Sequence, residues 1–292
     1  MKKLIKNVLN LIIPVRFLKP KNQRLNRFIK INDAIGGKPF CLYMREDSFM
    51  EKVIFEKGLY GEWEKESLKI WAHLSKQSDV ILDIGANTGI FSMLAQNNNS
   101  AAKVIAIEPV GVNFEVLSKN ISRNKFPIIA EKVALSDKKG TAKMFMLKDR
   151  LNYMTSVNEN RYAGAPHVKG NYEVVEIEVP IMPFSEIVSR HSLQKIDLVK
   201  IDVEGHEIAV LNSMLPWLQK YKPHILIEVI GDDNAIELNK IFGLMGYKFL
   251  SINEENISKQ VNELWDNHHH NFLITNQETI QLLQQKNLAE SK

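Results

Sequence analysis

VILDIGANTGIFSMLAQ, Val80–Gln96, runs from an apolar, strand-like segment through a loop holding Gly85 and Gly89 and then directly into an amphipathic run. Outward from it the chain alternates. EKESLKIWAHLS (64–75), GIFSMLAQ (89–96), NFEVLSKNISRN (113–124), HEIAVLNSMLPWLQ (206–219) and NAIELNKIFGLMG (234–246) read as helices. DVILDIG (79–85), KVIAIEP (103–109), IIAEKVALS (128–136), IDLVKIDVEG (196–205) and PHILIEVIG (223–231) read as strands, and YKFLSIN (247–253) with NFLITN (271–276) as two closing strands. Strands apolar on both faces and separated by helices imply a parallel sheet covered on both sides. The expected fold class is α/β: an open, doubly wound Rossmann-like sheet, mostly parallel, with an antiparallel closing strand.

Composition narrows the classes. A chain of 292 residues with 45% hydrophobic content fits one large domain with additions. The net charge is +4, and the 38 basic and 34 acidic side chains are mostly interspersed, so no nucleic-acid footprint is expected. The single cysteine, Cys41, cannot form an internal disulfide, which agrees with a reducing, cytoplasmic location. Its expected role is that of a small buried apolar residue.

The start, MKKLIKNVLNLIIPVRFLKPKNQRLNRFIK, is basic, with an apolar run from Val8 to Val15 interrupted by Asn10 and Pro14. That run is well short of the roughly 20 apolar residues that span a bilayer, and no small-residue cleavage site clearly follows it. Two readings stay open: a helix packed on the domain with its lysines solvated, or peripheral contact with the inner face of an anionic membrane. The expected organisation is a basic, helical N-terminal extension (1–60), a main domain (61–276) carrying an insertion (148–180), and a polar C-terminal tail (277–292).

In doubly wound sheets ligands bind at the carboxyl ends of the strands. Four of those ends are acidic here: Asp83, Glu108, Asp202 with Glu204, and Glu228. Any one could be a helix cap, but four along one rim point to a site. A dinucleotide loop has the pattern G-x-G-x-x-G, whereas Gly85-Ala86-Asn87-Thr88-Gly89 lacks the middle glycine. Asp83 at the strand end would also oppose a diphosphate. A carboxylate there suits a cationic ligand, and S-adenosylmethionine, with its sulfonium and ammonium groups, fits. Gly85 and Gly89 would admit its amino-acid portion, and Glu108 would grip a ribose diol.

LDIGANTGIFSMLA, VIAIEPVGVNFEVLSKNISRN, VALSD, IDLVKIDVEGHEIAVL and PHILIEV, in that order, resemble the FkbM-type methyltransferases, a branch of the class I S-adenosylmethionine-dependent enzymes. The resemblance spans about Gly61 to Asn276 and implies a methyltransferase sheet. It implies that Asp83, Gly85, Ala86, Asn87 and Gly89 form the methionine-side loop and that Glu108 takes the ribose. It places Ala134, Ser136 and Asp137, in VALSD, beside the adenine, and Glu64, in YGEWE, near the cofactor's amino group. Asn212, where the family often has Gly, and Ile90, near which it often has an aromatic, are small departures.

Methyl transfer to a hydroxyl needs an aligned acceptor, exclusion of water and late removal of a proton. The candidates for that work are Asp202, Glu204 and His206, with Asp202 as the main expectation; His206 has the pKa suited to a base but could equally cap its helix. Asp202, Glu204 and Glu228 also offer oxygen ligands for a divalent metal, although none is expected. The run His268–His270 reads as an exposed turn, because adjacent side chains point apart. Substrate selection is expected in the insertion, through Tyr153, Arg161, Tyr162, His167 and Tyr172, or else that segment is a hairpin adding the strand YEVVEIEVP. The resemblance implies O-methylation of a sugar, a glycan or a related small molecule, in keeping with polysaccharide biosynthesis. Two other readings are an NAD(P)-dependent oxidoreductase and a catalytically silent subunit of a polysaccharide assembly.

Overall fold

A computed structural model describes residues 26–147, 155–156, 174–266 and 271–290. The described chain opens with a hairpin, β1 (Arg27–Ile31) and β2 (Phe40–Met44), then α1 (Met50–Lys57) and α2 (Lys65–Ser75). The stretch Val80–Gln96 gives β3 (Val80–Ile84) and the start of α3 (Ile90–Asn98); β4 (Lys103–Ile107), α4 (Gly111–Asn124) and β5 (Ile129–Glu131) follow. Next come β6 (Ala134–Leu135), β7 (Gly140–Leu147), β8 (Thr155–Ser156) and β9 (Val174–Met182). Then α5 (Phe184–His191), β10 (Leu198–Ile201), α6 (Glu207–Tyr221), β11 (His224–Glu228) and α7 (Asp232–Gly243) resume the alternation. The last described elements are β12 (Lys248–Ser251), β13 (Lys259–Val261), β14 (Asn271–Thr275) and α8 (Gln277–Gln285).

Eight strands form one sheet in the order β13-β12-β14-β11-β10-β3-β4-β5. From β11 through β5 all neighbours are parallel, while β14 runs antiparallel to both β11 and β12. The chain winds outward from β3 to β5, then returns to β10 and winds the other way. A crevice therefore opens at the carboxyl ends of β3 and β10, where the winding reverses.

Apolarity on both strand faces is what holds this sheet between two layers. Along β3, Ile81 packs into one cluster with Trp71, Met93, Leu94 and Leu117, while Val80, Leu82 and Ile84 pack into the other with Phe184, Val210, Met214 and Phe242. Helices α1 to α4 and α8 therefore cover one face and α5 to α7 the other. Trp71 joins α2 to α3: it is fully buried, its indole N–H donates to Phe91 O at 2.9 Å, and it meets the Phe91 ring edge-on at 5.6 Å.

Several expectations are corrected. IIAEKVALS is not one strand, because Lys132 and Val133 separate β5 in the main sheet from β6 in a second sheet of order β6-β9-β7-β8. YEVVEIEVP does contain a strand, β9, but it pairs with β6 and β7 rather than extending the main sheet. The antiparallel closing of the sheet is as expected: β14 lies fully buried between β11 and β12, and β13 forms the outer edge. Within 1–60 the described residues form a hairpin before any helix, since Ile29, Ile31, Phe40, Leu42 and Met44 alternate inward into the core. The region 277–292 is not merely a polar tail: α8, capped by Asn276 accepting from Thr279 N at 2.8 Å, buries Ile280 and Leu283. Residues 1–25, His268–His270 and the insertion side chains Tyr153, Arg161, Tyr162, His167 and Tyr172 lie outside the described residues.

Replacing Trp71 with Ala empties this contact and removes the indole's hydrogen bond to Phe91 O. A loss of about 3–5 kcal/mol is expected in denaturant unfolding; a loss below 1 kcal/mol would contradict the bracing of α3 by α2.

Candidate functional site

The turn after β3 is built around a close backbone approach. Gly85 N and Ala86 N both donate to Ile107 O, at 2.9 and 3.0 Å, and Asp202 N donates to Ile84 O at 3.0 Å, which locks three strand ends together. Gly85 has φ +81°, and a Cβ there would lie 1.8 Å from Asp202 O. No side chain fits. Gly89, at φ +88°, faces Leu117 and opens α3. Asn87, Glu204 and Glu64, at φ 51°, 55° and 43°, also hold left-handed backbone, and such strain gathers where loops are over-determined for a purpose.

These loops border a cavity of about 370 Å³. Gly85 and Asn87 form its floor, Glu108, Pro109 and Val110 one wall, Ala134, Ser136 and Asp137 another, and Asp202, Glu204 and His206 the side under β10. Of the thirteen residues expected at the site, these nine line one space: Gly85, Asn87, Glu108, Ala134, Ser136, Asp137, Asp202, Glu204 and His206. Asp83, Ala86, Gly89 and Glu64 do not line it. Ala86 and Gly89 shape the loop from behind, and Asp83 lies beneath it. The second sheet, unforeseen in the sequence, supplies a roof through Ala142, Met144, Val179 and Ile181.

Glu108 is almost wholly buried and caged: Asn87 N donates to it at 2.8 Å and Val110 N at 2.9 Å. Burial pushes its carboxyl up to about 7, against the pull of those two amides. Asp83 accepts from Ser92 Oγ at 2.5 Å through Oδ2, while its buried Oδ1 has no protein partner among the described residues. Its pKa is raised by burial and restrained by Lys200.

Lys200 is the site's unexpected member. Its ammonium sits 2.6 Å from Asp202 Oδ2 and 4.6 Å above the centre of the Phe91 ring. Burial alone would lower its pKa, but Asp202, Glu64 and Asp83 outweigh that and keep it charged. Glu64, at the start of α2, is raised by burial, eased by Lys200 and raised further by Asp202, Glu254 and Glu228. Asn271 Nδ2 donates to it at 3.3 Å. Oxygens of Asp202, Glu204 and Glu228 fall within 4.8 Å of one another, an oxygen set of the kind that holds hard cations, with the Lys200 ammonium already on Asp202.

His206 faces the other way, its Nε2 lying 3.3 Å from Ser136 Oγ. Burial lowers its pKa against the pull of Asp137, so the ring is neutral near pH 7. Glu207, also missed, accepts from Gly205 N at 3.0 Å and steadies the loop that carries Glu204; burial pushes it up to about 7. From behind, buried Glu51 of α1 accepts from Thr88 Oγ1 at 2.6 Å, and Asn120 Nδ2 donates to Thr88 O at 2.8 Å. A charge inside the apolar strand LVKI was the one signal for Lys200; nothing local marks Glu51.

A model of the Methyltransferase FkbM domain matches residues 83–255. Among curated relatives, methyltransferase sdnD of Sordaria araneosa is 29% identical over 154 residues, covering 46% of this chain and 60% of that protein. The 31-O-demethyl-FK506 methyltransferase FkbM of Streptomyces tacrolimicus is 27% identical over 155 residues, covering 47% and 59%. Hexuronic acid methyltransferase AglP of Haloferax volcanii is 24% identical over 192 residues, covering 66% and 72%. The chain thus spans about three fifths of the first two relatives. Among solved structures, methyltransferase FkbM from Methylobacillus flagellatus aligns with a TM-score of 0.44 at 14% identity, covering 68% of this chain and 43% of that one.

Because an added methyl group at Gly85 meets a backbone oxygen rather than a pliable side chain, Gly85→Ala is expected to abolish binding of S-adenosylhomocysteine in calorimetry. Wild-type affinity in that variant would show that the contact between the β3 and β10 turns does not shape the cavity.

Proposed function

The chain belongs to the FkbM methyltransferase domain family, and from that we propose that it transfers the methyl group of S-adenosylmethionine to a hydroxyl of a sugar, a glycan or a related small molecule. One observation carries the proposal. Nine of the residues expected at the site line a single cavity at the point where the sheet reverses its winding, and that cavity lies beside an excess of carboxylates over one buried ammonium. The residues fit the cofactor: Gly85 leaves the floor bare, Glu108 offers a carboxylate for a diol, and Asp83 and Glu64 add negative charge for its cationic portion. The relative named as a hexuronic acid methyltransferase supports a sugar acceptor, and the FK506 methyltransferase supports a hydroxyl on a small molecule.

When bound, S-adenosylmethionine would supply the electrophilic methyl group for the acceptor oxygen and would leave as S-adenosylhomocysteine. The chain's part is to hold the acceptor in line, exclude water and take the proton. Asp202 is the assigned base, because its side chain stands at the end of β10 on the cavity, held there by the Lys200 ammonium at 2.6 Å. Glu204 lies beside it to orient the acceptor. His206, bonded to Ser136, is assigned to the wall beside the base of the cofactor rather than to proton transfer. The second sheet closes the cavity from above and limits the acceptor's approach.

Two outcomes follow from these assignments. Asp202→Asn keeps the shape but removes the base, so kcat is expected to fall at least about 100-fold with the cofactor affinity changed only a few-fold in calorimetry; retained turnover would remove Asp202 from the mechanism. The second concerns pH. Glu108 titrates near 7 in the free protein, and a diol donating to it favours the carboxylate, so binding expels a proton. Affinity for S-adenosylmethionine is therefore expected to rise from pH 6 to 8 and then level off, with proton release visible as a buffer-dependent binding enthalpy. A flat profile would detach Glu108 from cofactor binding.

A further inference from the structure

We propose that Glu254, acting through Ser67 and Asn271, is the positioning residue that aims Glu64 at the ammonium group of the bound cofactor; this rests on the reading of the cavity as an S-adenosylmethionine site. Glu64 immediately precedes α2, and its carbonyl takes the first bond of that helix, from Leu68 N at 2.8 Å. A residue in that place usually turns its own side chain back to accept from the exposed amides of the first turn. Among the described residues Glu64 makes no such bond. Its backbone is left-handed, at φ 43°, and its carboxyl lies within the fields of Lys200, Asp202 and Glu228. The cap comes instead from the loop between β12 and β13: Glu254 Oε2 accepts from Glu66 N at 2.7 Å and Oε1 from Ser67 N at 3.2 Å. A carboxylate there also matches the positive pole of the helix. Glu64 is thereby released from capping its own helix.

A directional chain of hydrogen bonds runs on from the cap. The Ser67 hydroxyl donates to Glu254 Oε1 at 2.6 Å and accepts from Asn271 Nδ2 at 3.0 Å, and the same nitrogen donates to Glu64 Oε2 at 3.3 Å. A hydroxyl has one proton to give. Because Glu254 takes it, Ser67 can only accept from Asn271, and the amide must turn its nitrogen to both Ser67 and Glu64. Without the Glu254 carboxylate the hydroxyl is free to donate to Asn271, and a flipped amide would set its oxygen against the Glu64 carboxylate. Packing and turn geometry hold the members of the chain. Ser67 is fully buried, Asn271 is nearly so, and Asn271 O accepts from Ile252 N at 2.9 Å. The turn carrying Glu254 is fixed by Asn253 Oδ1, which accepts from Glu255 N and Asn256 N, both at 3.0 Å. Asn271 stands opposite Glu228 in the sheet, so the chain gives the antiparallel strand β14 a part in the site. At its far end Glu64, like Asp202, keeps surface that a ligand can reach.

The test compares two ligands of the full chain by calorimetry. S-adenosylhomocysteine carries the amino-acid portion with its ammonium group, whereas methylthioadenosine keeps the adenosine and the sulfur but lacks that portion. Ser67→Ala breaks the chain and leaves both amides of the first turn capped by Glu254. It is expected to weaken S-adenosylhomocysteine at least about tenfold while methylthioadenosine changes by less than about twofold. Glu254→Ala, which also removes the cap, is expected to show the same selective loss together with a lower Tm. In a Glu64→Gln background Ser67→Ala is expected to add no further loss, because the carboxylate it serves is already gone. The proposal is overturned if Ser67→Ala weakens both ligands equally, which marks a purely structural role, if it weakens neither, or if its loss persists in full beside Glu64→Gln. Wild type that binds neither ligand would instead bring down the cofactor reading itself, and this chain's role with it.

Discussion

The site depends on one buried ammonium. Asp83, Asp202 and Glu64 converge where β3, β10 and the start of α2 meet, and each is drawn out of water to some degree. Burial raises the carboxyls of Glu64 and Asp83, and the Lys200 ammonium pulls both back down. Lys200 offsets part of that cost and leaves the rest uncompensated. On the proposed function, that remainder is what favours a cationic guest. Burial raises the carboxyls of Glu108 and Glu207 as well, both to about 7. A carboxyl with a higher pKa folded than unfolded stabilises the fold below its ordinary value and loses that contribution as pH rises through the folded one. The protein therefore gives up stability between about pH 4.5 and 7 as these two carboxyls ionise.

Charge alone would not place these groups. The β3 and β10 turns touch through Gly85 and the Asp202 carbonyl, so the position of the assigned base depends on a residue that has no side chain. The opposite side of the same loop rests on the N-terminal elements through Thr88, which is held by Glu51 from α1 and by Asn120 from α4. Asn120 in turn accepts from Tyr43 N of β2 at 2.6 Å, and Asn124 pairs with both polar backbone groups of Cys41. The edge of β2 is thus covered by two asparagines of a helix instead of another strand, which satisfies its backbone without inviting a further partner.

The doubly wound core was legible because its strands are apolar on both faces and its helices keep a period near 3.6. The acidic rim was legible for a related reason: in such a sheet the residue after each strand is where ligands meet the protein. What escaped notice rests on long-range pairing. The two residues Lys132 and Val133 divert β6 into a second sheet, and no local pattern distinguishes that break from an ordinary strand residue. Strand β14 inserts between β11 and β12 only because its buried side chains find their partners there. Helix α8 looked polar because glutamines dominate it, yet Ile280 and Leu283, three apart, suffice to seat it. Glu51 lies 37 residues from its partner Thr88 and carries no local signature.

Helix α4 joins the cavity to the N-terminal hairpin. Its first turns border the cavity through Asn113, and its outer side further along carries Lys119 and Arg123. At a rise of 1.5 Å per residue, Asn113 and Arg123 lie about 15 Å apart along the axis. The helix is anchored at both ends, by Glu108 near its start and by Asn120 and Asn124 against β2 near its end. A rigid rod of that length couples the rim of the cavity to the N-terminal hairpin.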